Sequence, residues 1–211
     1  MVAAFENRAE AGRRLADALG RFAGEQTVVL GLPRGGVPVA RPVADALGAP
    51  LDVLAVRKLG GPRHPEFALG AIGESGVRLV DDDAVWHTHV GEGELEAVEE
   101  KARVELARLL GLYRGGRPAL DLAGRRAIVV DDGVATGASA TVACRVARRL
   151  GAAEVVLAVP VAPYGWERKL AAEADELVAL ETPRDFWAVG RWYVDFEQTT
   201  DDEVVAALDR G

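Results

Sequence analysis

The sequence predicts an α/β fold, a parallel sheet covered by helices on both faces. Two observations carry this. Short, wholly apolar runs recur along the chain, too short for helices and lacking the alternation of a half-exposed strand. Between them lie amphipathic stretches with helical spacing, the order that builds parallel sheets. At 211 residues, 49% of them hydrophobic and 27% charged, residues 1–211 read as one domain with an elaboration.

Ala11, Leu15, Ala18, Leu19 and Phe22 recur at helical spacing, predicting a first helix over residues 8–22. The run TVVLGL (27–32) is the first buried strand, followed by PRGG and a helix that ends near Leu47. LDVLAV (51–56) is the second. RKLGGPRHPE reads as a turn-rich loop, and FALGAIG with VRLV as a hairpin. Leu95, Val98, Ala102, Leu106, Leu109 and Leu110 form one stripe of a long helix, on which Glu99 and Arg103 stand four apart. Residues 80–124 are expected to be a helical insertion, because connections between strands and helices are usually far shorter. The pattern then turns regular: strand AIVV (127–130), helix 136–150, strand EVVLAVPV (154–161), helix 166–172 and strand ELVAL (176–180). No internal repeat interrupts it.

The formal net charge of −8 argues against non-specific nucleic-acid binding, so an anionic ligand needs a local cationic cluster. The amino-terminal stretch is charged and amphipathic, with no secretory apolar segment. No run reaches the length of a membrane span. A single cysteine, Cys144, permits no internal disulfide and fits a cytoplasmic location; within a helix it reads as a small packing residue.

The chemistry concentrates in AIVVDDGVATGAS (127–139). Four apolar residues end in Asp131 and Asp132, at the carboxyl end of a strand, where ligands of such sheets sit. Thr136, Gly137 and Ser139 follow at the expected start of a helix, where free amides and hydroxyls form a phosphate seat. A lone acid pair would read as a solvated strand end before an ordinary helix cap; the ordered string sets this one apart.

That string resembles the phosphoribosyl pyrophosphate (PRPP) signature of the type I phosphoribosyltransferases. The resemblance implies the type I phosphoribosyltransferase fold, with the whole layout similar to uncharacterised bacterial proteins of this kind. It implies that Ala135, Thr136, Gly137, Ala138 and Ser139 hold the 5-phosphate while Asp131 and Asp132 accept hydrogen bonds from the ribose hydroxyls. The same acids would favour positive charge at the anomeric carbon and hold Mg²⁺ through water. Two positions depart from the family pattern. Gly133 replaces an apolar residue, so a looser turn is expected there. Ala135 stands where hypoxanthine and guanine enzymes commonly carry an aspartate base, although adenine-type enzymes also have alanine.

GLPRGG (31–36) is by itself a turn with a surface arginine. Beside the first motif it resembles the family's pyrophosphate loop, with Arg34, Gly35 and Gly36 facing the leaving group and a non-proline cis peptide expected at Pro33–Arg34. Arg57 and Lys58, at the end of the second strand, resemble the cations of the family's flexible catalytic loop; Arg63 and His64 lie in the same loop and read equally as a solvated turn. Phe186, Trp187, Trp192, Tyr193 and Phe196 fall within eleven positions. Such a cluster is usually core packing, yet the family places its variable base-binding hood here, at 181–211. Phe186 and Trp187 are therefore expected to stack on the base and Asp195 to read its edge, the spacing being one residue off on each side.

The resulting expectation is a Mg²⁺-dependent enzyme that transfers the phosphoribosyl group from PRPP to a nitrogenous small-molecule acceptor. Arg34, Lys58, Asp131 and Asp132 would be catalytic. No nucleic acid or membrane partner is expected, and a homodimer is possible in such a family. The alternative from another class is a non-catalytic PRPP or nucleotide sensor, which Ala135 favours. A metal-dependent phosphate-ester hydrolase would need further acids near the pair. His87 and His89, with Asp81, Asp82 and Asp83 nearby, could form a metal edge or simply a polar helix start. TTDDEV reads as another helix start, capped by Thr200.

Overall fold

The computed structural model describes residues 3–64 and 67–209. Five strands, β1 (Thr27–Gly31), β2 (Leu51–Val53), β6 (Arg126–Val130), β7 (Glu154–Val161) and β8 (Glu176–Glu181), form a parallel sheet in the order β2-β1-β6-β7-β8. Helices α1 (Arg8–Leu19) and α2 (Gly36–Leu47) cover one face, over Val29, Ile128, Val130, Val156 and Ala158. Helix α5 (Ala138–Arg149) covers the other, over Val28, Ala127, Val129, Val155 and Leu157. Successive strand residues feed opposite cores, which is why the runs are wholly apolar.

Three expectations need correction. The 51–56 strand is divided: β2 ends at Val53, and β3 (Val56–Gly60) opens a second sheet with β4 (Ala68–Gly73) and β5 (Arg78–Val80). This sheet is antiparallel, in the order β3-β4-β5. RKLG is thus a strand with a buried Leu59, not a loop, and the expected hairpin is the rest of the sheet. The fourth helix of the core, α6 (Glu167–Leu170), is a single turn, shorter than residues 166–172. The first helix keeps its α form only to Leu19, then tightens into a 3₁₀ turn at Gly20–Phe22.

Residues 80–124 contain α3 (Asp82–Thr88) and α4 (Glu92–Arg114). Ala102 and Leu106 of α4 pack on Leu59, Leu69 and Ile72 of the second sheet, while Leu122 returns to the main core. Glu99 pairs with Arg103 as expected and also with Arg78, Nη2 to Oε1 2.6 Å. The terminal helix α7 (Asp201–Leu208) is capped by Thr200, whose hydroxyl accepts the Glu203 amide, and packs on Val37, Val53 and Tyr113. His87 lies edge-on to Trp86 and His89 ends α3 in a left-handed conformation. Among the described residues no three potential ligands gather around a metal position. Cys144 is buried, its thiol pushed up to about 12 by burial, and packs as a small side chain. No described helix is long and apolar enough to cross a membrane.

Arg114 ties the two sheets together. Its guanidinium lies 3.1 Å from the Asp52 carboxylate on β2 and 2.8 Å from Glu74 beyond β4, and it donates to the Val53 carbonyl. Asp52 also accepts from the Leu120 amide. All three side chains are about nine-tenths buried. Removing one partner would leave two buried carboxylates without their counter-charge. Arg114→Ala is expected to cost about 3–5 kcal/mol, read as a lower urea midpoint at unchanged slope.

Candidate functional site

In the core sheet, β1 and β6 run in register, with Gly31 opposite Val130. Both strands therefore end side by side, and their following loops leave the sheet together. The chain order also reverses here: β1 turns outward to β2, and the chain later returns on the other side of β1 as β6. Such a switch point opens a crevice at the carboxyl ends of the strands. The turn after β1 meets the acid pair after β6 there, Gly35 against Asp132 and Gly36 against Asp131.

The contact between them leaves no room for side chains. A Cβ placed on Gly35 would lie 2.0 Å from Oδ2 of Asp132, and one on Gly36 would lie 2.5 Å from the Val130 carbonyl oxygen. The Pro33–Arg34 peptide is cis, as the family resemblance implied. Gly36 was expected to offer its amide to an anion, but that amide bonds the Leu32 carbonyl at 2.9 Å as α2 begins. Its contribution is the close approach itself. Gly35 precedes the helix at its N-cap.

Beyond the acid pair, α5 starts two residues later than expected. Gly137, at φ 89°, is its N-cap, and the Thr141 amide makes the first bond back to the Gly137 carbonyl. The amides of Ala138, Ser139 and Ala140 precede that bond and have no acceptor within the helix. Ala135, Thr136 and Ser139 are exposed around them. The positive end of the helix dipole adds to this anion seat. The turn at Gly133 is not loose: Val189 and Val161 press on it, and a Cβ there would meet Val189 at 2.6 Å.

Asp132 is engaged on its other side by a residue the sequence did not single out. Arg8 Nη2 and Nε approach its Oδ2 at 2.8 and 2.9 Å. Arg8 also donates to the Glu197 carbonyl at 2.7 Å and stacks on the Phe196 ring. The Tyr193 hydroxyl donates to the Asp132 backbone carbonyl, 2.6 Å. A signal was present: Arg8 is the first residue of α1, where the helix dipole disfavours a cation, so a compensating anion was needed.

The other expected residues separate. Arg57 lines a cavity with Arg34, whereas Lys58 faces a neighbouring groove with Gly60 and Gly61, which Arg57 also borders. Arg63 pairs with Glu94 at 3.0 Å, and His64 lies edge-on to Phe67. Phe186 packs against the Phe5–Tyr193 cluster, while Trp187, 74% exposed, projects outward. Asp195 is exposed. Its carboxylate accepts the Glu197 amide at 3.1 Å, and it borders a different groove with Pro38 and Arg41. The extended chain around Tyr193, bonded to Phe5 and Glu6 backbone, turns it that way.

Asp131 and Asp132 are both shifted upward. Burial is the main cause for each; the Asp132 charge raises Asp131 further, and Arg8 partly offsets the burial of Asp132. Oδ1 of Asp131 accepts the Asp132 amide at 2.9 Å. Two carboxylates of this kind suit a hard cation.

A carboxyl raised in the folded chain binds its proton above the pH at which the unfolded chain has lost it. Stability therefore falls as pH rises from the ordinary carboxylate range through the raised value. Asp131→Asn keeps the acceptor for the Asp132 amide and removes one charge. It is expected to raise stability at pH 7 by about 1 kcal/mol, or about 2–4 °C in Tm, with the gain shrinking toward pH 4. Melting curves at the two pH values check this.

Comparison with known proteins agrees with this geometry. The family model described as phosphoribosyl transferase domain matches residues 2–197. Two proteins from strains of Mycobacterium tuberculosis, each named "Putative phosphoribosyl transferase", are 56% identical over 206 residues, covering 98% of this chain and 46% of theirs. The chain thus spans about half the length of the curated relatives it matches. A solved structure from Thermus thermophilus, that of the protein TT1426, is 46% identical with a TM-score of 0.80, covering 97% of both chains. The paired loops at the strand ends, the five-stranded parallel sheet and these matches together place the chain in the phosphoribosyl transferase domain family.

Proposed function

We propose that the chain is a Mg²⁺-dependent phosphoribosyltransferase, moving the phosphoribosyl group from PRPP to a nitrogen of a small purine- or pyrimidine-like acceptor. The observation that carries this reading is the register of Gly31 with Val130, which sets the Arg34 loop, the acid pair and the amides of α5 around one crevice. The 5-phosphate would sit on residues 135–139 and the ribose against Asp131 and Asp132. The pyrophosphate would lie toward Arg34 and Arg57. The acceptor would approach past Phe186 and Trp187.

In the reaction the acceptor nitrogen forms a bond to the anomeric carbon as the bond to pyrophosphate breaks. That electron pair leaves on the pyrophosphate oxygen. Mg²⁺ would supply charge neutralisation of the phosphates. The acid pair favours positive charge building at the carbon, and Arg34 with Arg57 neutralises the leaving group. Ala135 offers no base, so a proton on the acceptor nitrogen passes to water or to the released pyrophosphate. Exclusion of bulk water limits hydrolysis of PRPP. Of the two acids, Asp131 is the freer, because Arg8 already holds Asp132. The setting is a cytoplasmic one, with small-molecule partners.

A PRPP-sensing protein without transfer activity is the second reading, favoured by Ala135 and by the Arg8 ion pair on Asp132. Saturation with PRPP and Mg²⁺ at about 100 times Kd should stabilise the chain by about 2.7 kcal/mol, a rise of several degrees in Tm, with ribose 5-phosphate as the control. Release of pyrophosphate on adding a nucleobase panel then distinguishes the enzyme from the sensor. No shift at millimolar PRPP would contradict both.

A further inference from the structure

Helix α4 brings residues into the cavity beside Arg34 that no motif marks. The cavity, about 330 Å³, lies between the Pro33–Arg34 turn, the start of β3, α4 and the first residue of α7. Arg34, Arg57 and Arg108 all border it, with Glu105, Tyr113 and Asp201. Four α4 residues border it, Glu105, Arg108, Leu109 and Tyr113, and the steps 105–108, 105–109 and 109–113 are the three- and four-residue steps of one helix face. Three guanidiniums from three separate elements thus converge in a chain whose net charge is −8.

The acids in the cavity are arranged around these cations. Glu105 accepts two bonds from Arg108, Nε to Oε2 and Nη2 to Oε1, both 2.9 Å. Asp201 Oδ1 lies 3.9 Å from Arg34 Nη1 and accepts the Tyr113 hydroxyl at 2.6 Å. A carboxylate presents two oxygens to a guanidinium in the geometry that a phosphate presents. Glu105 therefore occupies the face of Arg108 that a phosphate would take. Its side chain is partly exposed and that of Arg108 more so, so the pair can open without disturbing the core. An exposed ion pair of this kind holds with little energy.

We infer that Arg108 is a third pyrophosphate-binding residue, supplied by the 80–124 segment and held ready by Glu105 until the anion displaces that carboxylate. This rests on the proposed phosphoribosyltransferase reading. It also gives α4 a role at the site: the helix that packs on the second sheet delivers a cation across from Arg34 and Arg57. Tyr113 is a positioning residue here, fixing Asp201 beside Arg34.

Titration calorimetry with inorganic pyrophosphate and Mg²⁺ tests this on the full chain. Arg108→Gln is expected to weaken binding about tenfold, equal to about 1.4 kcal/mol, with Tm nearly unchanged. Glu105→Gln is expected to tighten it, an effect that a merely structural ion pair would not produce. Arg103→Gln, on the same helix but bordering another cavity, is expected to change it by less than about twofold, under 0.5 kcal/mol or so. Equal binding by wild type and Arg108→Gln overturns the assignment alone. So does a Glu105→Gln variant that binds no better than wild type. No pyrophosphate binding by the wild-type chain would overturn the assignment; only loss of PRPP binding as well would overturn the proposed function.

Discussion

The Asp132 carboxylate, lodged between the Arg8 guanidinium and the backbone of Gly35, is the contact on which the crevice depends. It draws three distant segments together: the start of α1, the turn after β1 and the end of β6. The Phe196 ring and Glu197 carbonyl join through Arg8, and Tyr193 through the Asp132 carbonyl. A buried carboxylate is costly unless paired, so Arg8 stabilises what the site requires. The absence of a side chain on Gly35 lets the two loops close to contact distance.

Charge is divided along the same line. Acids occupy the centre, where a sugar's hydroxyls would lie, and amides and arginines occupy the flanks, where phosphates would lie. An acidic surface around such a crevice does not prevent anion binding, because the relevant field is local and is strengthened by the low-dielectric walls. The Arg114 network contributes at one remove. It fixes the second sheet against the edge strand of the core and so sets where Arg57 stands relative to Arg34.

Much of this was legible in the sequence. Residues 127–139 announce a strand, an acid pair and a helix start, and all three are present. The apolar runs mark four of the five core strands to within a residue at either end, since strands covered on both faces carry their own signature. The short edge strand β2 merged with β3 in that reading because no polar residue or turn signal separates Val53 from Val56. Arg8 is marked in the sequence only as a cation at a helix start; its partner is 124 positions away, and nothing local records which anion pairs with it. The course of the chain at Asp195 was hidden for the same reason, since it is set by backbone bonds to Phe5 and Glu6, far away in the sequence. Gly133 was read as freedom when Val189 fills the space.

The position of bound PRPP tests the central claim most directly, by crystallography of the chain with PRPP and Mg²⁺. The account predicts the 5-phosphate on the amides at 138–140, the ribose hydroxyls beside Asp131, and the pyrophosphate reaching Arg34. A PRPP molecule bound with its 5-phosphate elsewhere, or with its ribose away from the acid pair, would contradict it.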